Sequence, residues 1–217
     1  MGVNPDRARE GTVPVAQIVL LHSAYGLRPA VHEAAGRLRA AGHRVHTPDL
    51  YDGRTFDTVE EGMAFKEEIT NDELLRRAVI AVAPLLTSVN GTTPPPDGLV
   101  YAGFSLGGAL AQNLALADEQ AKGLLLLHGT SDIRDDAATS IPVQLHVAEP
   151  DPFESEDWLN AWYLRMRKAG ADVEVHRYRG AGHIFTDPEL PDYDAEAAEQ
   201  TWAAALDFLA ELDGVTG

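Results

Sequence analysis

The sequence predicts an α/β protein: a compact, mostly parallel sheet of about six or seven strands with helices on both faces. Three observations carry that reading. Short apolar runs alternate with longer amphipathic stretches from Gln17 to Leu212. The first strand, helix and strand fit within roughly the thirty residues of a βαβ unit. A later apolar run passes through Gly103-Phe104-Ser105-Leu106-Gly107 straight into a helix, and a sharp strand-to-helix turn of that composition belongs to sheets of this kind.

Taken in order, Gln17–His22 is an apolar run bounded by polar residues, which reads as a buried parallel strand. A helix is expected over Ala30–Ala41, ended by Gly42, and Arg44–Leu50 holds the second strand and its loop. Val59–Glu68 reads as helical. Asp72–Leu86 forms a longer helix with Leu74, Leu75, Ala78, Val79, Val82, Leu85 and Leu86 on one side. The Pro- and Gly-rich stretch Asn90–Gly98 is a surface loop, because an apolar strand resumes at Leu99. A helix over Gly107–Asp118 is followed by strands at Gly123–His128 and Val143–Ala148. The helix over Ser155–Ala169 places Trp158, Trp162, Leu164 and Met166 in the core or the cleft wall. A last strand over Val173–Tyr178 precedes a closing helix over Asp194–Leu212, whose apolar residues recur at helical spacing.

At 217 residues the chain can bury a full core without staples. The expected organisation is a polar N-terminal extension over 1–14 and a single domain over 15–217. The absence of cysteine fits an intracellular protein, and the polar first fourteen residues lack the apolar stretch of a secretion signal, so a cytoplasmic location is expected. No apolar run approaches membrane-spanning length. The 34 acidic against 17 basic residues give a formal charge of −17, which opposes approach to nucleic acid or an anionic membrane. A small molecule is the expected partner.

Gly-x-Ser-x-Gly between strand and helix points to a nucleophile, Ser105. A serine forced out of the sheet on a tight turn needs small neighbours two residues away on each side, here Gly103 and Gly107. Gly108 lets the helix approach the sheet. The Ser105 hydroxyl also needs a base, and the base needs an acid to hold its tautomer. His183, in Gly180-Ala181-Gly182-His183-Ile184-Phe185 after the last strand, is the candidate base. His22, His128, His146 and His176 read as core or rim residues of strands, and His32, His43 and His46 as helix or loop surface. For the acid, Asp132 and Asp151 both follow strands and Glu149 is a third choice. Chain order favours Asp151, which follows the penultimate strand. The backbone N–H groups of Ala24 and Leu106 are the candidate oxyanion donors. Ser23, Tyr25, Phe153 and Phe185 are candidate cleft residues, with Tyr25 either lining the cleft or packing on the next helix. No histidine-rich ligand spacing, phosphate loop or dinucleotide fingerprint occurs, so neither metal nor cofactor is expected.

Tyr25-Gly26-Leu27, Thr47-Pro48-Asp49-Leu50-Tyr51, Gly103–Ala109, Asp151-Pro152-Phe153 and Ala181–Phe185 together resemble the dienelactone hydrolase family of the α/β-hydrolases, from about Val15 to Leu212. The resemblance implies the α/β-hydrolase fold and hydrolysis of esters or lactones. It also exposes departures. That family carries a cysteine nucleophile where this chain has Ser105, and a glutamate in the first loop where it has Ser23. The two changes belong together, since a serine needs only its base and not the control of a thiolate. Two arginines that hold the family's carboxylated lactone correspond to Glu61 and Asp187. The expectation is a neutral or cationic ester, lactone or thioester of modest size, cleaved through an acyl-enzyme. A thioesterase or acyltransferase would share every residue named. A non-catalytic ligand-binding relative would have lost one of the three, and Ser105, Asp151 and His183 are all present.

Overall fold

The structure is a computed structural model that describes residues 16–87 and 98–214. The expected N-terminal extension and most of the Asn90–Gly98 loop lie outside the described residues. Twelve elements follow in order: β1 Gln17–Leu21, α1 Pro29–Ala40, β2 Arg44–His46, α2 Val59–Ile69, α3 Asn71–Leu86, β3 Leu99–Phe104, α4 Leu106–Ala117, β4 Gly123–Leu127, β5 Pro142–Glu149, α5 Glu156–Ala169, β6 Asp172–Arg179 and α6 Ala195–Leu212. The six strands form one sheet in the order β2-β1-β3-β4-β5-β6, and every neighbouring pair is parallel.

The central strands β1, β3 and β4 are buried along their whole length because both faces are covered. Ile18, Leu20, Val100, Ala102, Leu125 and Leu127 pack beneath α1 and α6 on one face. Val19, Leu21, Tyr101, Leu124, Leu126 and Leu145 alternate to the other face, against α3, α4 and α5. Local chemistry sets the helix ends. Pro29 opens α1, the Ser155 side chain caps α5 through Trp158 N–H, and Gly170 closes it in the left-handed conformation. Asp194 accepts from both Glu196 and Ala197 N–H at the start of α6.

Three expectations about burial are corrected. Val79 and Leu86 are exposed although they share α3 with the buried Leu74, Ala78 and Val82, because the sheet covers a narrower stripe of the helix than its apolar residues span. Leu164 and Trp158 on α5 are exposed, whereas Trp162 and Met166 are core. His43 is buried, not surface, with Nδ1 3.8 Å from Asp213 at the end of α6. The turn after α1 is roofed by that C-terminal segment, which local sequence around His43 does not report.

Candidate active site

The pairings Leu21↔Gly103 and Phe104↔Leu127 align the carboxyl ends of β1, β3 and β4, so the loops that follow them emerge at one edge, where ligands of open parallel sheets bind. Ser105 stands at that edge with φ 49° and ψ −111°, a strained conformation for a residue with a side chain. Its N–H donates to Leu127 O at 2.7 Å, which holds the turn to β4. The turn leaves no room at Gly107, where a Cβ would lie 2.4 Å from the carbonyl oxygens of Leu21 and His22. A serine in the capping position ordinarily accepts from the first helical turn. Here it makes no cap bond.

Instead, Ser105 Oγ lies 2.8 Å from His183 Nε2. His183 Nδ1 in turn lies 2.8 Å from Asp151 Oδ2 and 3.0 Å from Oδ1. Asp151 Oδ1 also accepts from Phe153 N–H at 2.8 Å and Glu154 N–H at 3.1 Å, so its loop orients the carboxylate. Its side chain is 0% exposed and that of His183 7% exposed, which shields their interaction from water. The arrangement lets a proton move from Ser105 to His183 while Asp151 faces the resulting positive ring. Beneath it, the fully buried His128 bonds to Thr186 Oγ1 at 2.7 Å, and burial holds its pKa far below the usual histidine range. Of the other acid candidates, Asp132 is paired with Arg165 on the surface and Glu149 faces Arg177 and Arg179.

A cavity of about 460 Å³ is lined by Ser105, His183, Ala24, Leu106, Tyr25 and Phe153, among others. Leu106 opens α4, whose amino-terminal N–H groups favour negative charge. Ala24 is held by residues that sequence reading passed over. His22 Nδ1–H donates to Ser23 O at 2.8 Å and its Nε2 accepts from Leu50 N–H at 3.0 Å, an arrangement available only to the neutral ring, and burial lowers its pKa accordingly. Gly62 brings α2 against this loop: a Cβ there would lie 2.3 Å from Ala24 O.

Two candidate cleft residues do not reach the cavity. Ser23 is buried and its hydroxyl accepts from Tyr25 N–H at 3.3 Å. Phe185 is fully buried against His128 and Tyr178, with ring centroids at 4.5 and 4.7 Å, because the turn after His183 directs it into the core. Of the two placements open for Tyr25, the ring lines the cavity, with the Arg28 guanidinium just before α1 5.3 Å from its centroid. The acidic positions Glu61 and Asp187 also lie away from the cavity lining. Glu61 occupies the outer face of α2. Asp187 accepts from Glu189 N–H and lies 3.9 Å from Arg28. The carboxylate that does line the cavity is Glu154, with Asp72 and Lys66 on α3 and α2. Burial of Glu154 follows from the tertiary course of the Asp151 loop, and only its spacing of three from Asp151 hinted at it. Among the described residues no cluster of three or more His, Asp or Glu is placed to hold a metal ion, and no helix is long and apolar enough to cross a membrane.

These features can be set beside known proteins. Protein usf of Aquifex pyrophilus is 24% identical over 203 residues, covering 89% of this chain and 87% of that protein. A dienelactone hydrolase-like promiscuous phosphotriesterase from metagenomic libraries superposes with a TM-score of 0.78 at 24% identity, over 93% of this chain and 88% of its own. The dienelactone hydrolase of Anabaena variabilis superposes at 0.63 and 18% identity, over 93% and 86%. Both therefore share the fold of this chain. The model of the dienelactone hydrolase family matches residues 4–212, nearly the whole chain, and the chain is therefore a hydrolase belonging to the dienelactone hydrolase family.

Proposed function

We propose that this protein is a serine hydrolase that cleaves a small neutral or cationic carboxylic ester or lactone through an acyl-enzyme on Ser105. The observation that carries the reading is the unbroken hydrogen-bond chain from Ser105 Oγ through His183 to Asp151. His183 Nε2 takes the serine proton as Oγ attacks the acyl carbon, and Asp151 steadies the imidazolium. The N–H groups of Ala24 and Leu106 hold the oxyanion. His183 then gives its proton to the departing alkoxide and removes one from the water that hydrolyses the acyl-enzyme. Val59, Met63 and Leu75 give the α2–α3 side of the cavity an apolar lining, suited to a short acyl or alcohol chain, and a volume near 460 Å³ accords with a substrate of modest size. A cytoplasmic setting accords with the cysteine-free, acidic chain.

Intact-mass measurement after treatment with a fluorophosphonate tests nucleophile activation without a chosen substrate. One added probe mass is expected in the wild type and none in Ser105→Ala or His183→Ala, with hydrolysis of p-nitrophenyl acetate falling by on the order of 10⁴ or more in Ser105→Ala. A folded wild type that takes no label would overturn the reading in favour of a ligand-binding relative.

A further inference from the structure

The cavity contains one buried charge that the Ser105–His183–Asp151 chain does not use. Glu154 is 8% exposed and lines the cavity together with Ser105 and His183. Its Oε1 accepts from Thr130 N–H at 2.9 Å, and its Oε2 accepts from the Thr130 hydroxyl at 2.6 Å. The Trp158 indole N–H donates to that same hydroxyl at 2.8 Å, which fixes the direction of the Thr130 O–H. Each carboxylate oxygen therefore receives one hydrogen bond and retains further acceptor capacity. Among the described residues Glu154 forms no ion pair. Burial pushes the Glu154 carboxyl above the usual carboxylate range, so its ionised form is costly unless something in the cavity supplies a counter-charge.

The surroundings say what that something is. The Phe153 ring, 55% exposed and 4.5 Å from the His183 ring centroid to centroid, lines the same cavity. An aromatic ring and a carboxylate lining one cavity are the chemistry that recognises ammonium groups. The cavity's other charges, Lys66 and Asp72, are of opposite sign, and Lys66 is already bonded to Glu67 at 2.7 Å. The chain's net charge of −17 draws cations toward its surface.

We propose that Glu154, with Phe153, forms a specificity subsite for an ammonium group, so that the enzyme prefers esters carrying a quaternary ammonium in the alcohol or the acyl part over their neutral isosteres. The inference rests on the serine-hydrolase reading and narrows it from neutral or cationic substrates to cationic ones. Glu154 acts here by binding substrate and takes no part in proton transfer.

Two isosteric ester pairs separate the two placements of the charge. Acetylcholine is compared with 3,3-dimethylbutyl acetate for a cation in the alcohol, and phenyl trimethylglycinate with phenyl 3,3-dimethylbutanoate for a cation in the acyl group. For each pair the cationic-to-neutral ratio of kcat/KM is measured in wild type and in Glu154→Gln, and the two ratios are divided. Intrinsic reactivity and any general effect of the substitution cancel in that quotient. The expected quotient is about tenfold in one pair, expressed in KM more than in kcat, as for a partly desolvated ammonium subsite. A quotient below about fivefold in both pairs overturns the proposal. Should Glu154→Gln not fold, the wild type answers alone: choline must inhibit p-nitrophenyl acetate hydrolysis competitively at least about fivefold more tightly than 3,3-dimethylbutan-1-ol, and equal inhibition overturns the proposal. If the wild type hydrolyses the neutral esters through Ser105 without a cation preference, only the subsite fails. If it hydrolyses none and takes no fluorophosphonate, the hydrolase reading fails with it.

Discussion

Gly62 is the residue whose replacement asks most of the proposed oxyanion site. A Cβ at this position would stand 2.3 Å from Ala24 O and 2.8 Å from Ala24 C, where ordinary contact begins near 3.4 Å. Gly62→Ala must therefore separate α2 from the Ala24 backbone by about 1 Å at the carbonyl oxygen. The neighbouring Ser23 carbonyl is pinned by His22, so the loop cannot simply swing away, and the displacement is shared between Ala24 and the helix that walls the cavity. Overpacking of this kind costs about 1–3 kcal/mol, and alanine's better helix propensity returns up to about 1 kcal/mol. The net loss of stability is small. A shift of about 1 Å at a group that stabilises the transition state costs on the order of 10² in rate, near 2.7 kcal/mol. The expected outcome is a folded Gly62→Ala with kcat/KM for p-nitrophenyl acetate lowered by about 10². Gly36 is the matched control: it sits exposed in α1 with nothing within 4 Å of a built Cβ, so Gly36→Ala should leave activity unchanged and raise stability by up to about 1 kcal/mol. Thermal melts and steady-state kinetics on both variants make the comparison. Activity of Gly62→Ala within about threefold of wild type would refute the assignment of Ala24 to the oxyanion site.

Two further outcomes are expected. Asp151→Asn keeps acceptors for the Phe153 and Glu154 N–H groups but presents His183 with the wrong tautomer partner, and fluorophosphonate labelling should slow by on the order of 10⁴ without loss of fold; unchanged labelling would remove Asp151 from the mechanism. The pH dependence of stability is the second. His146 is buried with Nδ1 bonded to Tyr178 and Nε2 to Gln144, and its pKa is pushed down to about 3 by burial and by His176, while His22 and His128 are lowered by burial as well. A depressed histidine lets the unfolded chain bind the proton first, so its contribution is complete above pH 6.5 and is lost as the pH falls from there toward 3. For His146 the loss is about 1.4 kcal/mol per pH unit from 6.5 down to about 3. Urea midpoints at several pH values should fall on acidification, less steeply in His146→Gln. An identical slope in that variant would show that His146 is not among the groups responsible.

Much of this protein was legible along the chain. The central strands are short apolar runs bounded by turn residues, and most helices repeat their apolar residues at helical spacing, so the alternation of elements and the parallel sheet follow from local periodicity. Ser105, Asp151 and His183 could be singled out because their chemistry is tied to local context: glycines around a strand-to-helix turn, and loops that follow the last two strands. Which loop residues face the cavity could not be read in this way. Ser23 and Phe185 turn inward, Asp187 turns away, and Glu154 enters, because a loop side chain's direction is set by the elements packed against it and not by its neighbours in sequence. His22 and Gly62 belong to the same class. The importance of each comes from a single backbone group brought close by the fold, Leu50 N–H and Ser23 O for the histidine and Ala24 O for the glycine. Sequence alone therefore determined the architecture and pointed to the candidate reacting groups, which depend on short-range periodicity and motif spacing. Tertiary structure decided the walls and charge of the cavity, which arise where segments distant in the chain meet.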